Sequence, residues 1–298
     1  MTGTPLDLTP FGDLLKGIGW LYWIAALGCA ALALWWFKRW WLKLGVAAAV
    51  LAVFIVPAAK HVMQRQAQYD VAKTKLDAAM AHFQMRCKNA GETITRTVEN
   101  VDGVVWMRWR DKYDVNDDYD QFKLSDPYGR DCGAEDCIKF LLRATKGLEI
   151  DPEAKMPFHR GYAYVESTDP RDEGLYRYTM RLKPGHLDHQ ELEKQQAGSL
   201  TARYGITWND ISTREDREHW IAGSSLRVVN LQTNEIIAER VGYMMDRGQG
   251  SQAGFRTPWL EAEKAACPAF DRSEAGNPMK YSRSRFFIFK VLQPSREK

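Results

Sequence analysis

The chain of 298 residues is 45% hydrophobic and 27% charged, with a formal net charge of +3. This composition excludes a disordered polyelectrolyte and leaves no basic field for nucleic acid. Only four basic and two acidic residues precede Lys60, so the remainder is nearly neutral and long enough for one sizeable soluble domain.

Residues 18–37 read IGWLYWIAALGCAALALWWF, twenty residues without a charge. At the rise of an α-helix this matches a hydrocarbon core of about 30 Å, and it exceeds the apolar region of a secretory signal. A second apolar run, LGVAAAVLAVFIVPAA, extends through flanking Trp40, Trp41 and Leu42 to give a spanning helix over 42–59, with Pro57 kinking its exit. The connecting KRWWLK carries cations and interfacial tryptophans. Residues 1–59 are therefore expected to form a two-helix transmembrane hairpin. Lys38, Arg39 and Lys43 favour a cytoplasmic turn, whereas Lys60, Arg65, Lys73 and Lys75 pull the other way. Cysteine usage decides for an outward domain: Cys87, Cys132, Cys137 and Cys267 make an even number outside the apolar segments, as two disulfides in an oxidising compartment require.

Residues 60–90 lack Pro and Gly until Gly91, and Tyr69, Ala72, Leu76, Ala79, Phe83 and Cys87 recur at helical spacing. They predict a long amphipathic stalk helix whose stripe buries against a sheet. The soluble domain then occupies 91–298. TITRTVEN and VVWMRWRD around Asp102-Gly103 read as a β-hairpin. A short helix follows near Ile138, and YAYVES and LYRYTMRL flank TDPRDEG as a second hairpin. The polar stretch His189 to Gln196 reads as helical. Thr213 is placed to cap a short helix through Trp220. SSLRVVNL and EIIAERVGYMMD make a third hairpin, Pro258 to Ala266 a helix, and RFFIFKVL a central strand. The expected fold is α+β, a mainly antiparallel sheet with helices on one face.

No catalytic signature emerges from these segments. Asp114, Asn116, Asp118 and Asp120 alternate as at the start of a calcium loop, but Tyr119 stands where the loop needs Gly and Ser125 where it needs a bidentate Glu. The carboxylates are read as solvated. His82, His159, His186, His189 and His219 are scattered and read as surface residues. Cys132 and Cys137 enclose four residues, which suits a local disulfide better than zinc, and Cys87 and Cys267 then pair by elimination. Ser224 and Ser225 lack a nucleophile elbow and an assignable base. RGQGSQAGFRTPW lacks the lysine of a phosphate loop and reads as a mobile loop. No enzyme activity, cofactor or metal is expected. The aromatic and methionine content favours binding instead: Trp208, Trp220, Tyr243, Met244, Met245, Arg247, Arg256 and Trp259 are the candidate partner-binding residues, because Trp, Tyr and Arg dominate interface hot spots and Met adapts to partner surfaces.

From RYGITWNDISTREDREHWIAGSSLRVVNLQTNEIIAERVGYMMD through GQGSQAG, PW and ACPAF, the chain resembles proteobacterial inner-membrane proteins encoded beside type VI secretion toxins, the lipase-effector immunity-like proteins. The likeness covers mainly residues 203–270 and consists of phrases rather than a chemical motif. It implies an immunity protein anchored in the bacterial inner membrane, which binds a secreted antibacterial toxin, a phospholipase effector, in the periplasm. The same anatomy suits a non-catalytic subunit of an envelope secretion or assembly complex.

Overall fold

The computed structural model describes residues 20–29, 31–32, 35, 39–112, 114–122, 132–143, 161–182, 190–269 and 283–295. The chain divides into two compact units, Met1–Asp77 and Ala78–Lys298.

In the first unit, α1 (Trp20–Cys29) is a short apolar helix. The much longer α2 (Trp40–Cys87) begins in the second apolar run. Among the described residues α2 is the one helix long and apolar enough to cross a membrane by length and composition. Tyr22 of α1 donates its hydroxyl to the Phe54 carbonyl at 2.7 Å, with the two rings edge-on at 5.3 Å. Several residues of the predicted first span lie outside the described residues. Pro57 does not divide span from stalk, and one helix runs through it. A proline removes a single backbone donor, and the Ala-, Gln- and Lys-rich sequence beyond it propagates the helix.

The amphipathic stripe of α2 buries only at its end. Ala79 and Phe83 are buried and Cys87 half-buried, whereas Tyr69 and Ala72 are exposed. These last turns belong to the second unit, where they are fastened twice. Cys87 is disulfide-bonded to Cys267, with Cα atoms 5.6 Å apart. The wholly buried carboxylate of Asp216 accepts from His82 at 2.6 Å and from Arg86 at 2.8 Å. Because the Cys87–Cys267 bond closes a 180-residue separation, replacing both cysteines by serine is expected to lower the unfolding free energy by about 5 kcal/mol on the chain-entropy account. A denaturant titration of tryptophan fluorescence reads it. Two disulfides, with Cys132–Cys137 as the second, are what an oxidising compartment permits.

The second unit is α+β. Its main sheet contains β1 (Gly91–Ile94), β3 (Gly103–Trp106), β4 (Tyr164–Thr168), β5 (Leu175–Leu182), β6 (Gln190–Gln196), β7 (Tyr204–Asp210), β8 (Ile221–Asn230) and β9 (Glu235–Met245), in the order β1-β9-β8-β7-β3-β4-β5-β6. The short β10 (Ala266–Cys267) also pairs with β9. Pairing is antiparallel except around β3, which runs parallel to both β4 and β7. A separate parallel pair joins β2 (Val98–Val101) to β11 (Leu292–Pro294).

Three expectations about this sheet are corrected. No hairpin forms at Asp102-Gly103: neither residue has the positive φ that a two-residue hairpin turn demands, and Gly103 lies against the Tyr164 ring, where a Cβ would collide. Residues 190–196 are an edge strand rather than a helix. Leu192 pairs with Met180 and both pack on the core, a tertiary gain that outweighs the helix propensity of Gln, Glu and Lys. RFFIFKVL is mostly helix, α6 (Arg283–Val291). Phe287, Ile288, Phe289 and Val291 are all buried, and a short run apolar on every side cannot be told from a buried strand by period.

Register places Val104, Trp106, Val165, Ile206, Leu226 and Val228 on one face of the sheet. Against this face pack α3 (Glu135–Leu142) and α6 to form the main core. Further along the same face, α5 (Pro258–Ala262) packs Trp259 and Ala262 against Ala222 and Met244 in a smaller cluster. Helices are not confined to this face, however. The end of α2 lies on the opposite one, where the Arg86 guanidinium stands 6.0 Å from the Tyr243 ring centroid, and Tyr243 neighbours Met244 on an alternating strand. Between them, α4 (Arg214–Glu218) turns Asp216 toward α2, while its Arg217 reaches Asp210 at 2.7 Å and the Trp259 ring at 5.6 Å. Thr213 caps α4 through a reciprocal capping box with Asp216.

Candidate interaction surface

The chain leaves β9 at Met245 into DRGQGSQAGFRTPW, and the loop is organised around its first residue. Asp246 is wholly buried, and its backbone N–H donates to the Trp220 carbonyl at 2.9 Å. One carboxylate oxygen accepts from the Gly248 N–H at 2.9 Å and from Arg256 at 2.5 Å, and the other accepts from the Gly250 N–H at 2.8 Å. Arg256 also donates to the Ser251 carbonyl, and Gln249 to the His219 carbonyl. Glycine is needed at Gly250, which has φ of 80° and lies against the Trp220 indole. This network fastens the loop from Asp246 to Ser251 and at Arg256, while Ser251 to Phe255 are exposed. It also uses internally the very N–H groups an anion would need.

What the loop displays is Phe255. Its side chain is fully exposed at 102% relative accessibility, and its backbone is left-handed at φ 61°. That conformation costs a non-glycine residue about 1–2 kcal/mol. Next to it, Thr257 precedes α5, and its hydroxyl lies 3.2 Å from the Tyr119 hydroxyl, while Trp259 donates to the Asp120 carbonyl at 3.0 Å. These bonds join the loop and α5 to a 3-10 turn, Val115–Tyr119. The three segments and Phe122 just after the turn together carry the exposed side chains of Val115, Tyr119, Phe122, Phe255 and Leu260.

Most of the predicted partner-binding residues are not exposed at this corner. Trp208, Trp220, Tyr243, Met244, Met245 and Trp259 are buried. Trp208 is held by the Arg108 carbonyl at 3.0 Å, and Trp220 packs on Trp259 with ring centroids 5.4 Å apart. Arg256 is engaged by Asp246, and Arg247 is exposed. Phe255 is not among the residues singled out from the sequence, where its only signal is an aromatic between Gly254 and Arg256 without an apolar neighbour.

The other constellations resolve as internal fastenings. Asp114 caps the 3-10 turn by accepting from Asn116, Asp120 accepts from the Phe122 N–H, and Asp118 is buried. Ser125, His159, His186 and His189 lie outside the described residues. His82 and His219, far apart in sequence, meet with ring centroids at 5.5 Å. Contrary to the surface reading, the His82 side chain is only 10% exposed. Ser224 and Ser225 are buried within β8. Glu166, buried in β4, accepts from Arg177, Thr201 and the Ala202 N–H. Burial works to raise its pKa, but these donors outweigh it and hold the carboxyl below its ordinary value. Asp169 is held far lower, mainly by Arg171, against the opposing effect of burial and with help from Lys194.

Comparison of the chain with family models, with curated proteins and with solved structures yields no match.

Proposed function

We propose that the chain is a membrane-anchored periplasmic immunity protein that binds and neutralises a secreted antibacterial toxin, a phospholipase effector of type VI secretion, without chemistry of its own. The observation that carries this reading is the loop fastened by Asp246, which displays a fully exposed Phe255. A rigid loop loses little conformational freedom on binding, and an aromatic is the side chain most able to anchor an interface. The one helix long and apolar enough to cross a membrane among the described residues, α2, supports a membrane anchor, and the two disulfides support an outward soluble domain. Tethering would raise the inhibitor's effective concentration where a phospholipase acts.

Coexpression with the toxin encoded by the adjacent gene tests the reading. Survival of the host and a stoichiometric complex on purification are expected, and a chain that neither binds nor protects sinks it. Recovery of stoichiometric membrane partners in mild detergent with no toxin present would instead assign the chain to an envelope secretion or assembly complex.

A further inference from the structure

The two disulfides differ in what holds them. Cys87 and Cys267 are 180 residues apart, so their bond constrains a long stretch of unfolded chain. Cys132 and Cys137 are five apart and close a small ring, so opening their bond frees little of the unfolded chain and removes little of the fold's stability. Inside that ring Ala134 adopts φ 45° and ψ −133°, a region that L-residues avoid and glycine tolerates. The Ala134 N–H donates to the Arg110 carbonyl at 2.9 Å. Opening the ring would release this strain.

The surroundings also suit sulfur chemistry. Cys132 is half-buried beside the main core, and the Arg110 guanidinium lies 3.6 Å from its Sγ. Cys137 is buried in the first turn of α3, where backbone N–H groups and the helix dipole favour a thiolate. The acidic residues that would oppose this are themselves paired: Glu135 with Arg171 at 2.7 Å, and Asp136 with Lys139 at 3.3 Å.

We propose that Cys132–Cys137 is a site of thiol–disulfide exchange with a dithiol, while Cys87–Cys267 is a structural bond. One thiolate of the dithiol attacks the Sγ of Cys132, the less buried of the two residues, the S–S bond breaks, and the electron pair leaves on Cys137 Sγ. The second thiolate then attacks the dithiol's own sulfur in the mixed disulfide and expels Cys132 as a thiolate. The dithiol is oxidised by two electrons to a disulfide, the protein pair is reduced, and the two protons pass to solvent or to the new thiols. This inference does not rest on the toxin-binding reading, and its test needs no partner.

The test equilibrates the full chain in detergent with graded ratios of reduced to oxidised dithiothreitol, traps free thiols with N-ethylmaleimide and quantifies each cysteine peptide by mass spectrometry. Near-UV circular dichroism follows the fold in parallel. With the backbone strain at Ala134 favouring the open ring, Cys132 and Cys137 are expected to be half-labelled at a ratio about tenfold below that for Cys87 and Cys267, with the near-UV signal native. Ala134→Gly removes the backbone strain from the oxidised form and is expected to raise the ratio needed by about fivefold. The proposal is overturned if all four cysteines become labelled together as the near-UV signal is lost, if Cys87–Cys267 opens first, or if Ala134→Gly leaves the midpoint in place.

Discussion

Phe255→Asn is expected to weaken toxin binding by about 30-fold or more while leaving the protein as stable as before, or slightly more so. The two halves of this expectation come from different physics. As the fully exposed tip of its loop, Phe255 has no packing to lose on substitution. Its φ of 61° is a conformation that Asn accepts far more readily than a bulky aromatic. An interface anchor of this kind contributes about 2 kcal/mol or more to a complex. A side chain that costs stability in the free protein and is buried only by a partner would show opposite signs in the two measurements. Titration calorimetry with the toxin reads the first and thermal unfolding the second. Asp246→Asn, which keeps Phe255 but weakens the clamp on Arg256, should reduce affinity by a smaller factor, about tenfold, through lost preorganisation. If Phe255→Asn protects cells as well as the parent chain, this loop is not the toxin-binding element.

Where local pattern and tertiary environment agree, the elements are legible in advance. The β8–β9 hairpin follows from β-branched residues around a polar turn, and α4 from Thr213 with a carboxylate three residues on. The cysteine pairs follow from spacing and elimination. The parallel placement of β3 is not legible, because it depends on β4 and β7, which lie far along the chain. The burial of Tyr243 and Met244 is hidden for a related reason. Adjacent residues of a strand point to opposite faces, and one is ordinarily exposed. Here the end of α2 covers one face and α5 the other, so both side chains are buried. Composition alone cannot reveal that double cover, and it directed attention to the aromatics under the surface instead of exposed Tyr119, Phe122 and Phe255.

The second large effect is expected at Asp216, where the end of α2 is joined to α4. Removing this wholly buried carboxylate leaves the guanidinium of Arg86, the imidazole of His82 and the cap at Thr213 without their shared acceptor. Asp216→Ala should therefore cost about 3–5 kcal/mol. Asp216→Asn, which retains a hydrogen-bond acceptor but no charge, should cost about half as much. Glu215→Gln is the control. Glu215 is 69% exposed and lies 3.7 Å from His82, so its loss should change stability by less than about 0.5 kcal/mol. The pH dependence separates charge from packing. Burial alone would raise the Asp216 pKa, but Arg86, the Thr213 N–H and His82 together hold it below its ordinary value. The stability it contributes is thus fully present above about pH 4, the unfolded carboxylate value, and is lost as pH falls through the lower folded value. Denaturant titrations of the parent chain and Asp216→Ala should give a constant difference from neutral pH down to about 4, narrowing only below it. A difference that persists undiminished in acid would assign the cost of Asp216→Ala to packing around α4 and not to the charge that holds α2 in place.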